Sequence, residues 1–144
     1  IIVFFLVDEF AESKTCYQYN VYADWQLTFK CNSGNFNVSS IYLENCYLGG
    51  WFRYTNCWPW INITNVSTPT HHFEDRGSAA WGNGFFTKVT IQHNCSTSGS
   101  KCSFWPPEPT YSCKDTIIPK WGAEVTLTDS RSGECSFKST RYQI

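Results

Sequence analysis

The chain has no methionine, no C-x-x-C pair and only 16% charged residues in a length of 144. Each shortage closes off a class of function. Charged residues usually make up about a quarter of a globular protein. Here 11 Lys and Arg face 12 Asp and Glu, the formal net charge is −1, and no stretch gathers the cations into a stripe. A nucleic-acid surface needs clustered Lys and Arg to displace counterions from phosphates, and an anionic membrane needs the same, so neither is expected as a partner. Without a two-residue cysteine spacing, no tight turn brings two sulfurs together for a zinc knuckle or a redox dithiol, so no metal site is expected. The G-x-S-x-G elbow, H-E-x-x-H, the calcium loop and the P-loop are also missing, which leaves serine-hydrolase, zinc and nucleotide chemistry without a motif and no cofactor implied.

Long apolar runs are lacking too. Ile1 to Val7 (IIVFFLV) is the strongest, and it stops at Asp8 and Glu9. Seven residues fall far short of the roughly twenty that a helix needs to cross a bilayer, so no membrane span is expected. With no initiator methionine, basic flank or small-residue cleavage site beside it, the run reads as the first strand of a mature chain whose signal has been removed.

What is present points outside the cytosol. Cysteines occupy positions 16, 31, 46, 57, 95, 102, 113 and 135, an even number. Four N-x-Ser/Thr sequons begin at Asn37, Asn62, Asn65 and Asn94. Thiols close into disulfides, and sequons receive sugar, only along the oxidising secretory route, so each signal supports the other. Cys16, Cys31, Cys46, Cys57, Cys95, Cys102, Cys113 and Cys135 are therefore expected to form four structural disulfides, in one of about 105 pairings that spacing alone does not choose among. The expected location is secreted, or the surface of a cell or virion.

Hydrophobic periodicity is two almost throughout. From Val21 to Cys31 the odd positions are apolar, and the even ones from Asp24 onward are mostly polar. Phe85 to His93 and Ala123 to Thr128 repeat the pattern, and shorter candidates are Phe36 to Leu43, Trp51 to Trp58, Trp60 to Val66 and Cys135 to Tyr142. No window offers a capped amphipathic helix. Residues 1–144 are therefore expected to form a single all-β domain, an antiparallel β-sandwich or barrel with long loops, cross-linked by four disulfides. Ser132-Gly133 suits a hairpin before the last strand. Alternation turns Ile61 and Ile63 inward and Asn62 outward, and separates Asn94 from the face of Val89, Ile91 and His93. Two segments resist a strand reading. Residues 67–83 are rich in turn formers, and residues 96–113 carry Trp105-Pro106-Pro107-Glu108-Pro109, whose prolines cannot donate to a ladder.

Aromatics make up 18% of the chain, as seven Trp, eight Tyr and eleven Phe. They are densest in Trp51-Phe52-Arg53-Tyr54 and Cys57-Trp58-Pro59-Trp60. Exposed Trp, Tyr and Arg dominate binding hot spots, and flat rings stack on sugars. Trp51, Arg53, Tyr54, Trp58, Trp60 and Trp105 are thus the candidate binding residues, for a protein receptor or a glycan; the competing role for the tryptophans is core packing against a disulfide. In composition the chain is similar to small cysteine-rich secreted effectors of pathogens and to receptor-binding domains of viral envelopes. Its tryptophan and disulfide strands resemble immunoglobulin-like sandwiches in a general way, without their single Cys, Trp, Cys spacing. The expected function is a non-enzymatic recognition module for a host or partner macromolecule. One alternative is a carbohydrate-binding module. Another is a small secreted hydrolase of ribonuclease-like type, in which His72, Glu74 and His93 exchange a proton and Arg76 holds the phosphate charge.

Overall fold

The computed structural model describes residues 13–49, 54–95, 97–128 and 133–143. The Ile1–Val7 run, Trp51, Arg53, Ser132 and the side chain of Tyr54 lie outside the described residues. Nine strands form two sheets, with no α-helix among the described residues. They are β1 (Lys14–Thr15), β2 (Asn20–Lys30), β3 (Val38–Gly49), β4 (Tyr54–Ile63), β5 (Thr70–Ser78), β6 (Gly84–His93), β7 (Ser100–Phe104), β8 (Lys120–Thr126) and β9 (Ser136–Thr140). A short 3₁₀ turn spans Glu108–Thr110.

In the first sheet β4, β3 and β6 lie side by side, and the far edge of β6 is shared by β1 near its start and β7 near its end. The second sheet runs β5, β2, β8, β9. Among the described residues every strand-to-strand pairing is antiparallel except β2 with β8. The expected all-β, disulfide-linked sandwich is therefore what the chain adopts, with one parallel pair added.

Alternation builds the core. Val21, Ala23, Trp25, Leu27 and Phe29 of β2 are buried, as are Phe85, Val89 and Ile91 of β6. Trp25 is the hub. Its register partners are Phe73 on β5 and Trp121 on β8, and both rings meet it edge-on at 5.3 and 5.4 Å. Its indole N–H donates to the Thr110 carbonyl at 2.8 Å, so the ring is buried without an orphan donor. Burial of one such side chain is worth about 3 kcal/mol. Asn45 is one of several buried polar residues. It donates to Ser78 O at 2.8 Å and accepts from the Thr87 hydroxyl at 3.0 Å, which ties the first sheet to the end of β5.

The eight cysteines pair as Cys16–Cys113, Cys31–Cys95, Cys46–Cys57 and Cys102–Cys135. Cys46–Cys57 bridges directly opposed residues of β3 and β4. Cys31–Cys95 joins the end of β2 to the end of β6, one from each sheet. Cys102–Cys135 closes the β7 and β9 side, with Ser103 bonded to Gly133 and Cys135 through the backbone.

Three expectations about elements change. Residues 67–83 are not a loop throughout, because Thr70–Ser78 is β5. Its outward residues Thr70, His72, Glu74 and Arg76 are exposed, and the buried positions that alternate with them include Phe73 and the side-chain-free Gly77, so the apolar signal is half missing. Within 96–113, Ser100–Phe104 is strand β7, while the proline stretch stays outside any strand as expected. The two strands expected around Pro59 are one, β4. A register shift between Leu43 and Glu44 leaves Trp60 as an extra residue, and the edge position of β4 tolerates the proline.

Candidate functional site

The two ends of the sandwich carry different chemistry. At one end β1 leads into β2 through residues 16–19, and β5 leads into β6 through 79–83. Cys16 bridges to Trp81, Gly82 N–H donates to Cys16 O at 2.7 Å, and Ala79 N–H donates to Tyr19 O at 3.0 Å. Gly82 takes φ 73°, a left-handed value that suits glycine, and lets the turn close. The Tyr47 hydroxyl accepts from Ala80 N–H at 2.7 Å, and the Cys16–Cys113 disulfide ties in the segment that follows the proline stretch.

On this braced backbone stand Tyr17, Tyr19 and Trp81, exposed by 64%, 68% and 55%. The Trp81 ring lies 6.0 Å from Tyr17, edge-on, and 5.6 Å from Tyr19, tilted. Trp81 touches both tyrosine rings, and all three stand half or more in water, which makes a preorganised apolar surface. Sequence reasoning passed over all three. The available signal was Tyr17-Gln18-Tyr19 directly after a cysteine, with Trp81 between small residues.

The rings chosen from the sequence are scattered. Trp58 is 64% exposed on the edge strand, and Trp105 is 39% exposed beside buried Pro106. Trp60 turns inward, where its ring meets Trp25 edge-on at 6.3 Å and covers Gly77. No ring contact joins Trp58 or Trp105 to the Tyr17 group among the described residues.

The ionisable candidates divide between the two sheets. His72, Glu74 and Arg76 share the outer face of β5, whereas His93 is 1% exposed on the inner face of β6. His93 Nδ1 accepts from Cys95 N–H at 3.0 Å, and its Nε2 lies 3.2 Å from Thr128 O. The sandwich interior separates it from His72, so the four do not gather. His72 instead meets two residues from elsewhere. Its Nε2 is 2.7 Å from Asp24 Oδ1 and 2.8 Å from the Tyr142 hydroxyl, which itself donates to Asp24 Oδ1 at 2.7 Å.

Asp24 is only 5% exposed although it points away from the core, because the chain's last described residues lie over it. They cross the second sheet at Gly122, where an added Cβ would stand 3.0 Å from the carbonyl oxygens of both Thr140 and Arg141. Beyond Tyr142, Gln143 N–H donates to Gln26 Oε1 at 3.0 Å. Desolvation, the hydrogen bond to the Asp24 carboxylate and the charges of Asp24 and Glu74 push the Tyr142 phenol up to about 12. A phenol held that firmly protonated is neither a nucleophile nor a base near neutral pH. The triangle serves to fasten the tail. Next to it, burial and then the charge of His72 lower the pKa of His71, whose Nδ1 accepts the Ser67 N–H at 3.2 Å.

Among the described residues no group of three His, Cys, Asp or Glu could hold a metal ion, and no helix is long and apolar enough to cross a membrane. No protein-family model, no curated protein and no solved structure matches the chain.

Proposed function

We propose that the chain is an extracellular recognition domain that binds a partner protein through the end bearing Tyr17, Tyr19 and Trp81, without catalysis. Four disulfides on an all-β fold are compatible with an extracellular setting. The braced cluster of three exposed rings is the observation that carries the reading. Rigid Tyr and Trp side chains contribute large contact area at little entropic cost, which is why they dominate hot spots. Trp58 and Trp105, the other exposed tryptophans singled out from the sequence, are proposed as outlying contacts.

A protein partner is favoured over a glycan by the ring angles. Tyr17 and Trp81 meet at 81° and Tyr19 and Trp81 at 41°, so the cluster is a knobbed surface rather than one flat platform for stacking a sugar. The hydrolase alternative loses support from the separation of His93 from His72.

The test is binding of the labelled, purified domain to a panel of intact cells and to a glycan array, with Trp81→Ala as the comparison. The expected result is cell binding that Trp81→Ala abolishes while Tm moves by about 2 °C or less. Trp81-independent binding, confinement of binding to the glycan array, or no binding at all would overturn the proposal. RNA cleavage that His72→Ala removes would replace it with the hydrolase.

A further inference from the structure

The four sequons, spread over 58 residues of sequence, meet at one end of the first sheet. Asn37 immediately precedes β3, Asn62 lies in the last residues of β4, Asn65 follows two residues after that strand, and Asn94 immediately follows β6. The ladders bring these points together, since Val38 pairs with His93 and Ile41 with both Ile63 and Ile91. All four asparagines are exposed.

Asn37 and Asn94 are direct neighbours. Asn94 Oδ1 accepts the Asn37 N–H at 2.5 Å, and Asn94 N–H donates to Asn37 O at 3.2 Å. This pairing holds the Asn94 amide by its oxygen. Among the described residues no hydrogen bond engages Nδ2 of Asn37, Asn62, Asn65 or Asn94. Nδ2 is the atom that carries an N-linked sugar, while Oδ1 is retained in the product, so the fold keeps the reacting atom free at each site and uses only the atom that glycosylation leaves alone.

We propose that this end carries a cluster of N-linked oligosaccharides on Asn37, Asn94 and the Asn62/Asn65 pair, which coats one end of the sandwich and leaves the ring end bare. In the transfer, the sugar C1 leaves the pyrophosphate oxygen of a lipid-linked oligosaccharide donor and bonds to Nδ2, which gives up one proton; no electron changes hands. Asn62 and Asn65 are three residues apart, close enough for a glycan on one to crowd the other, so the coat needs only one of the two filled. The ten residues of β6 separate Asn94 from the Gly84 end by about 30 Å. Sugar at the first end therefore shields that surface from docking without covering Tyr17, Tyr19 or Trp81. The inference shares with the proposed function its extracellular setting and gives the recognition surface a direction.

The experiment expresses the full chain through the secretory pathway of cultured eukaryotic cells and maps glycopeptides by mass spectrometry, with free thiols titrated on the same sample. Expected is occupancy in most molecules at Asn37, at Asn94 and at one or both of Asn62 and Asn65, in protein without free thiols. Empty sites in fully disulfide-bonded protein would overturn the coat alone, whereas free thiols in the folded protein would overturn the extracellular setting that both readings need. Direction is tested with Gln18→Asn plus Asn20→Thr, which places a new sequon among the rings. Its glycan is expected to abolish Trp81-dependent cell binding, while Asn→Gln at all four native sites leaves that binding within about twofold. Loss of binding on removing the native sites would overturn the claim that the coat stands away from the partner.

Discussion

The indole of Trp60 occupies the space that a side chain at residue 77 would need. A Cβ built on Gly77 would overlap Trp60 Cδ1, so the two residues fit only because residue 77 has no side chain. Trp60 comes from the edge of the first sheet and Gly77 from the edge of the second, and their contact closes the side of the sandwich opposite the Cys102–Cys135 bridge.

Gly77→Ala is therefore expected to destabilise the fold by about 3 kcal/mol, since the ring must leave its site over residue 77. Trp60→Phe should cost less, about 1.5 kcal/mol, because the indole N–H has no hydrogen-bond partner among the described residues and only packing is lost. Urea denaturation of the two variants checks the order; Gly77→Ala at wild-type stability would show that the ring moves aside freely.

The same contact explains why part of the fold was legible in the sequence and part was not. β2 was readable because each inward residue is supplied by the strand itself. β5 was not, because its inward position at 77 is filled by Trp60 from another strand, and a pattern read along one segment cannot register a side chain donated by another. Pro59 disguised β4 in a similar way, since its tolerance depends on the strand being an edge, which is a property of the sheet. The polar triangle was beyond reach for a related reason. His72 was singled out, but its partners Asp24 and Tyr142 lie 48 and 70 residues away. The ring cluster also joins two turns that are adjacent only after β1 pairs with β6. The cysteines and sequons were legible because their meaning depends on residue type and compartment.

Fastening of the tail by Tyr142 makes a prediction in alkali. The free phenol titrates at 10.0 and the folded one at about 12. Above pH 10 the unfolded chain loses this proton first, the folded state binds more protons, and stability falls as pH rises. The contribution of Tyr142 is thus fully present below pH 10 and lost as pH rises through about 12. Tyr142→Phe keeps the ring but removes the donor to Asp24, so its stability should fall less steeply over that window than the wild type. Tyr47, whose pKa burial also raises, titrates in both proteins and cancels in the comparison. Denaturant midpoints for the pair between pH 9 and about 12 measure the difference, and parallel curves would show that the Asp24 bond does not hold the tail.

Cys16–Cys113 and Cys46–Cys57 differ in what they restrain. The first spans 97 residues and the second 11. Loop-closure entropy makes the longer link worth about 4.7 kcal/mol and the shorter about 2.8 kcal/mol. Cys16 also sits in the backbone that presents Tyr17, Tyr19 and Trp81, where its carbonyl accepts from Gly82. Replacing Cys16 and Cys113 by serine should therefore lower stability by the larger amount and also speed amide hydrogen exchange in residues 16–19 and 79–83 under native conditions. Serine at Cys46 and Cys57 should lower stability by the smaller amount and leave exchange in those turns unchanged. Cell binding distinguishes the two effects further, since an interface made of prepositioned rings weakens when their backbone is released even in molecules that remain folded. If both pairs of substitutions sped exchange in the two turns alike, the disulfide would be a general brace of the sandwich, and the rings would owe their positions to the β1 and β6 pairing alone.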